Sequence, residues 1–189
     1  MPMLFIAALW FIRLATGVAE VELPGTARVA SQPQAGVVVW LDMQGLSQAP
    51  DRQRPVLDQR DLQFAPRVLA VQVGTTVEFP NHDRVFQNVF SFRDGKRFDL
   101  GLYPVGSAKR VVFDKPGVSR IFCTIHPHMA GYVVAVDSSV FAVSDEDGAF
   151  TLNAIPEGTY IYHAWRAGAS PLTGTVTVQA GAQLDIQWP

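Results

Sequence analysis

The sequence predicts an all-β protein of the sandwich type, and three observations carry that reading. Short runs rich in Val, Phe, Tyr and Thr recur along most of the chain. Gly, Pro and Asn-His-Asp turn signals separate them at close intervals, and no helical periodicity long enough to compete lies among them. With 189 residues, 48% of them hydrophobic, the chain has enough apolar side chains for one large packed unit or two small ones. The formal net charge is −2 and the 15 Lys and Arg are scattered, so no basic stripe exists for a nucleic-acid partner.

The first nineteen residues stand apart. Residues 3–12 are almost unbroken apolar sequence, Arg13 follows, and Gly17 and Ala19 form a small-x-small pattern before Glu20. Residues 1–19 read as a secretory signal peptide, which places the mature protein in the periplasm or outside the cell. A bilayer span needs roughly 20 apolar residues and this run has about half that, so no membrane span is expected after cleavage. Residues 36–42 (Gly-Val-Val-Val-Trp-Leu-Asp) form an apolar strand that needs a sheet to cover it. Residues 49–66, rich in Gln, Arg, Asp and Pro with little periodicity, read as a connecting loop.

A denser run of strands follows. Residues 68–73 and 76–79 flank Gly74, and Asn81-His82-Asp83 closes the second as a turn. Further strands are expected at 85–92, 97–103, 108–113, 119–124 and 132–136, punctuated by Gly95, Gly106, Gly117 and Gly131. Residues 140–144 and 149–152 flank an acidic turn at 145–148. Pro156-Glu157-Gly158 turns into a strand at 159–165, and 173–188 is expected to form a closing hairpin bent at Ala180-Gly181. Asp145, Glu146 and Asp147 lack the ligand spacing of a calcium loop and read as a solvated turn.

The chemistry concentrates in one segment. Cys123, the single cysteine, opens the run Cys123-Thr124-Ile125-His126-Pro127-His128-Met129. Thiolate, imidazole and thioether donors thus fall within seven residues. These are three of the four donors of a blue-copper site, whose trigonal base takes two histidines and a cysteine with a weak axial methionine. In an oxidising compartment a lone cysteine has no disulfide partner and is open to oxidation unless buried or bound. The alternative reading of Cys123 is a buried, inert thiol that packs as a small hydrophobe.

Residues 74–83 (Gly-Thr-Thr-Val-Glu-Phe-Pro-Asn-His-Asp), Gln87-Asn88-Val89-Phe90-Ser91, Phe113-Asp114-Lys115-Pro116-Gly117 and the Cys123–Met129 loop together resemble the cupredoxins. The likeness is to the plastocyanin- and amicyanin-like branch sometimes labelled methylamine utilisation proteins, and it covers about residues 66–137. It implies a Greek-key β-sandwich that binds one copper ion. Cys123 and His126 would be equatorial ligands, Met129 the axial one, and Asn88 a hydrogen-bonding tie between the two ligand segments. Gln87 departs from the pattern, standing where the family carries its other ligand histidine. A glutamine oxygen is neutral and harder than imidazole, so the exchange is expected to lower copper affinity and alter redox behaviour. Three outcomes stay open: copper held with Gln87 or water, ligation by another histidine, or loss of metal. His82, five residues before Gln87, and His128, beside Met129, are the alternative ligands; His163 lacks nearby donors and reads as structural.

The C-terminal third resembles the carboxypeptidase regulatory-like β-sandwich through Asp-x-Asp-Gly-x-Phe at 145–150 and Ile-Pro-x-Gly-x-Tyr at 155–160. With the strand near residue 39, this likeness implies a discontinuous unit of residues 20–48 plus 138–189, around a cupredoxin unit at 67–137. No nucleophile-base-acid set or phosphate loop stands out, so the chain is not expected to be an enzyme. The expectation is electron transfer with a redox partner protein, with Cu(I) storage or delivery to a copper donor or acceptor, or a metal-free interaction module, as alternatives.

Overall fold

The computed structural model describes residues 20–43, 54–92 and 94–189. The expected signal peptide at 1–19, and the part of the expected connecting loop at 49–53, lie outside the described residues. Every regular element among the described residues is a β-strand. In chain order these are β1 (Glu20–Val29), β2 (Gln32–Pro33), β3 (Val38–Leu41), β4 (Asp58–Arg60), β5 (Gln63–Ala65) and β6 (Val68–Gln72). Next come β7 (Thr75–Pro80), β8 (Gln87–Ser91), β9 (Phe98–Tyr103), β10 (Ala108–Phe113), β11 (Gly117–Phe122) and β12 (Ala130–Val136). The remainder are β13 (Phe141–Val143), β14 (Ala149–Pro156), β15 (Gly158–Trp165), β16 (Leu172–Val178) and β17 (Leu184–Trp188). The expected strands at 68–136 all form, with ends shifted by one or two residues.

Two sheets enclose the first core. One runs β6-β12-β11-β8-β9. The other pairs β10 with β7 and is extended by the β4–β5 hairpin, whose Gln59 bridges to Asn81 and whose preceding Val56 bridges to Glu78. Side chains alternate across each strand, so one face of each sheet turns inward. Val77 and Phe79 of β7, Phe113 of β10, Val89 of β8, Ile121 of β11 and Val133 of β12 meet there, all fully buried. Residues 58–65, expected as connecting loop, are instead this hairpin, with Leu57 and Phe64 in the core. Strands of three residues with Gln59 on the inward side carry no period-two apolar signal, which is why the segment reads as loop.

A second core lies between sheet β14-β1-β17, with β2 on β1, and sheet β13-β3-β15-β16. Leu23 and Ala27 of β1, Leu152 of β14 and Ile186 of β17 face Val39 and Leu41 of β3 and Val178 of β16. The expected closing hairpin does not form. β16 pairs with β15, whereas β17 pairs in parallel with β1, so residues 179–183 cross from one sheet to the other. Both strands present an alternating apolar face to a shared core, and that pattern does not tell which sheet each joins.

A third cluster joins the two units. Val38 and Trp165, on the outer face of the β3 sheet, pack with Ala70, Val134 and Val136 from β6 and β12. β3 and β12 are therefore buried on both faces, which explains their unbroken apolar runs.

Candidate metal centre

Two segments build the site at one end of the first sandwich. β11 ends at Phe122 and β12 begins at Ala130, opposite each other in register, so Cys123–Met129 is the loop that joins them. Pro127 occupies the second position of a turn in which the Met129 N–H donates to the His126 carbonyl at 2.9 Å. Proline pre-sets the backbone angle that such a turn needs there. The turn leaves Met129 1% exposed and Cys123 3% exposed in the core, with His126 half-buried above them.

β8 supplies the other wall. Gln87 is fully buried, and its Oε1 lies 3.2 Å from Cys123 Sγ and 3.1 Å from His126 Nδ1. An amide oxygen only accepts, so the thiol donates to it, as does Nδ1 in the tautomer that carries its proton there. Sγ and Nδ1 are 3.7 Å apart. At the other end of the amide, Gln87 Nε2 donates to Asp83 Oδ2 at 2.6 Å. Asn88 ties the walls together: its Oδ1 accepts from Thr124 N–H at 3.3 Å, and its Nδ2 donates to Asp99 Oδ1 at 2.9 Å. The Gly101 N–H and the Asn88 amide hold the Asp99 carboxyl below its ordinary value.

Beneath the site, Tyr103 of β9 stands opposite Gln87 in register and is buried. Its hydroxyl donates to the Phe79 carbonyl at 3.1 Å and accepts from Gln59 Nε2. Burial pushes its phenol well above the ordinary value, and the nearby Cys123 adds to the rise against the lowering effect of Gln59.

Three of the donors stand at separations that suit a first-row metal ion. A point equidistant from Sγ, Nδ1 and Oε1 lies about 2 Å from each, close to the metal–nitrogen and metal–oxygen bond lengths of such ions. Thiolate, imidazole, amide oxygen and the thioether of Met129 are chemically suited to copper. The residues fit the ion. Among the described residues no three His, Cys, Asp or Glu side chains are grouped to hold a metal, so the converging set depends on the glutamine.

The other sequence candidates fall elsewhere. His82 is exposed and pairs with Asp58 across 2.9 Å on β4. His128 is exposed, its ring 6.4 Å from that of His126. His163 stacks on Trp40 at 5.1 Å and contacts Thr173, a structural position. Asp145 spends its carboxylate on the Asp147 and Ala149 N–H groups of its own turn. Asp83 is the residue that sequence reasoning missed, and the one available signal was its place four residues before Gln87 in the Asn-His-Asp turn.

No protein-family model and no curated protein matches the chain. Among solved structures the chain is similar to a purple cupredoxin from Nitrosopumilus maritimus, with 26% identity over 43% of this chain and 99% of that one, at a TM-score of 0.40. It is similar to a reduced mutant of amicyanin, with 22% identity over 52% of this chain and 98% of that one, at a TM-score of 0.40. It is also similar to a copper-containing nitrite reductase from Thermus scotoductus, with 26% identity over 48% of this chain, at a TM-score of 0.43; the match spans only 24% of that enzyme.

Proposed function

We propose that this protein is an exported, mononuclear copper protein that exchanges electrons, with Cys123, His126, Met129 and Gln87 as the ligand set. The observation that carries the reading is the convergence of Cys123 Sγ, His126 Nδ1 and Gln87 Oε1 at one end of a sandwich core. Copper bound there would supply a one-electron couple. Cys123 and Met129 contribute soft sulfur donors that favour Cu(I), and His126 suits both oxidation states. Burial of Gln87, Cys123 and Met129 excludes water, while the Asn88 amide holds the loop against β8. A closed ligand set suits electron transfer more than catalysis, which needs an open position. Phe86 and Ile125, sequence neighbours of Gln87 and His126, are exposed and offer an apolar rim to a redox partner protein. The second core, built from residues 21–43 and 140–188, would be the carboxypeptidase regulatory-like unit.

A second reading has its own observation. Gln87 Oε1 accepts from both the thiol and the imidazole, so these two donors are satisfied without an ion. That arrangement also fits a metal-free interaction module, or a site that takes Cu(I) transiently for storage or delivery. A copper titration of the metal-free protein and of Gln87→His, followed by visible absorbance and electron paramagnetic resonance, separates them. A thiolate-to-copper band in the natural protein supports electron transfer. A band in Gln87→His alone overturns it, and tight Cu(I) binding without colour points to storage or delivery.

A further inference from the structure

Asp83 lies outside the ligand set, yet it is bonded to one member of it. The residue is 7% exposed, and its polar atoms are held from several directions. Its N–H donates to Asn81 Oδ1 at 3.0 Å, and Asn81, fully buried, donates through Nδ2 to the carbonyls of Val85 at 2.9 Å and Tyr103 at 3.3 Å. Asp83 Oδ2 accepts from Leu62 N–H at 3.0 Å and from Gln87 Nε2 at 2.6 Å, and Oδ1 accepts from Arg84 N–H at 3.3 Å.

A carboxylate is acceptor-only, whereas a glutamine amide has a donor end and an acceptor end. Turned the other way, the Gln87 amide would set Oε1 against a carboxylate oxygen and aim its NH2 protons at the metal-binding side. We propose that Asp83 is a positioning residue that fixes the Gln87 amide so that its oxygen, and not its NH2 group, faces Cys123 and His126. The Asp83–Gln87 pair thereby takes over the place of a ligand histidine. For metal selection, which rests on the copper reading above, the consequence has a direction. The locked oxygen is a hard donor that aids divalent ions, while thiolate, imidazole and thioether suffice for Cu(I).

The first test needs no metal. In the full-length metal-free protein, nuclear Overhauser contacts of the Gln87 side-chain amide protons are expected to the Leu62 N–H and absent to the His126 ring. Contacts to the His126 ring instead would overturn the assignment, and this result stands without any variant. The second test measures Co(II) and Cu(I) affinities. Asp83→Ala is expected to lower Co(II) affinity roughly 10–100-fold, the usual effect of losing a group that orients a ligand. Its Cu(I) affinity should stay within a few-fold, and Asp83→Asn, which keeps an acceptor, should recover most of the Co(II) loss. Unchanged Co(II) affinity, or an equal loss for both ions, sinks the proposal. If the natural protein takes up neither ion, the copper reading fails, and the amide contacts alone decide the role of Asp83.

Discussion

Cys123 on the β11–β12 loop donates its thiol proton to the Gln87 amide oxygen on β8 across 3.2 Å, in a core that leaves the residue 3% exposed. This contact makes the lone cysteine a bonded member of a polar cluster inside an apolar core. Thiols so placed are inert towards alkylating reagents until the surrounding structure opens.

His82 and His128 are exposed, and neither contacts Gln87 or Cys123 among the bonds formed here. An exposed ion pair contributes about 0–1 kcal/mol. His82→Ala and His128→Ala should therefore leave copper affinity unchanged and shift unfolding free energy by less than about 1 kcal/mol. Loss of metal binding in either variant would return that histidine to the ligand set.

The Asn88 tie gives a pH dependence. The Asp99 carboxyl is lowered first by the Gly101 N–H and then by the Asn88 amide. A carboxyl depressed in the folded state stabilises above its unfolded value of 3.8, and the contribution disappears as pH falls through the folded value. Asp99→Asn should flatten the stability profile below about pH 4 relative to the natural protein. Urea midpoints measured across that range check it, and identical profiles would count against the Gly101 and Asn88 bonds to Asp99.

Much of the fold was legible because its signals are local. Runs of β-formers and glycine turns between residues 68 and 136 marked strands that form, and the unbroken apolar stretch at β3 called for a sheet to cover it. The partner of β17 was not legible, since a strand with one buried face suits either sheet of a shared core. The loop residues Cys123, His126 and Met129 were readable as a set because all three lie within one turn-containing segment. Asp83 was not, because its effect passes through Gln87 and depends on how the 81–85 turn closes against Leu62 in the β4–β5 turn.

Tyr103 supplies an alkaline counterpart. Its phenol is raised by burial, so the unfolded chain releases this proton near 10.0 while the folded chain retains it. Stability from Tyr103 is thus fully present below pH 10.0 and is lost as pH rises towards the folded value. Tyr103→Phe should remove that alkaline slope. It should also cost about 1–3 kcal/mol at neutral pH, because the buried Phe79 carbonyl loses its donor. Chemical denaturation at pH 7 and pH 10.5 reads both effects, and a variant as stable as the natural protein would contradict the bond.

Met129 separates packing from ligation. It is 1% exposed and belongs to the same core cluster as Cys123, Val77 and Phe113. Truncation to Ala removes buried methylenes and leaves a cavity, an expected cost of about 2–5 kcal/mol whatever the function. Met129→Leu keeps the volume and should cost less than about 1.5 kcal/mol, but it removes the thioether. If Met129 is only core, the leucine variant binds copper as the natural protein does. If the thioether is the axial donor, the variant stays folded while its Cu(I) affinity falls and its reduction potential and thiolate-to-copper spectrum shift. A Met129→Leu protein that matches the natural one in stability, affinity and spectrum would remove the methionine from the site and leave Cys123, His126 and Gln87 as its only donors.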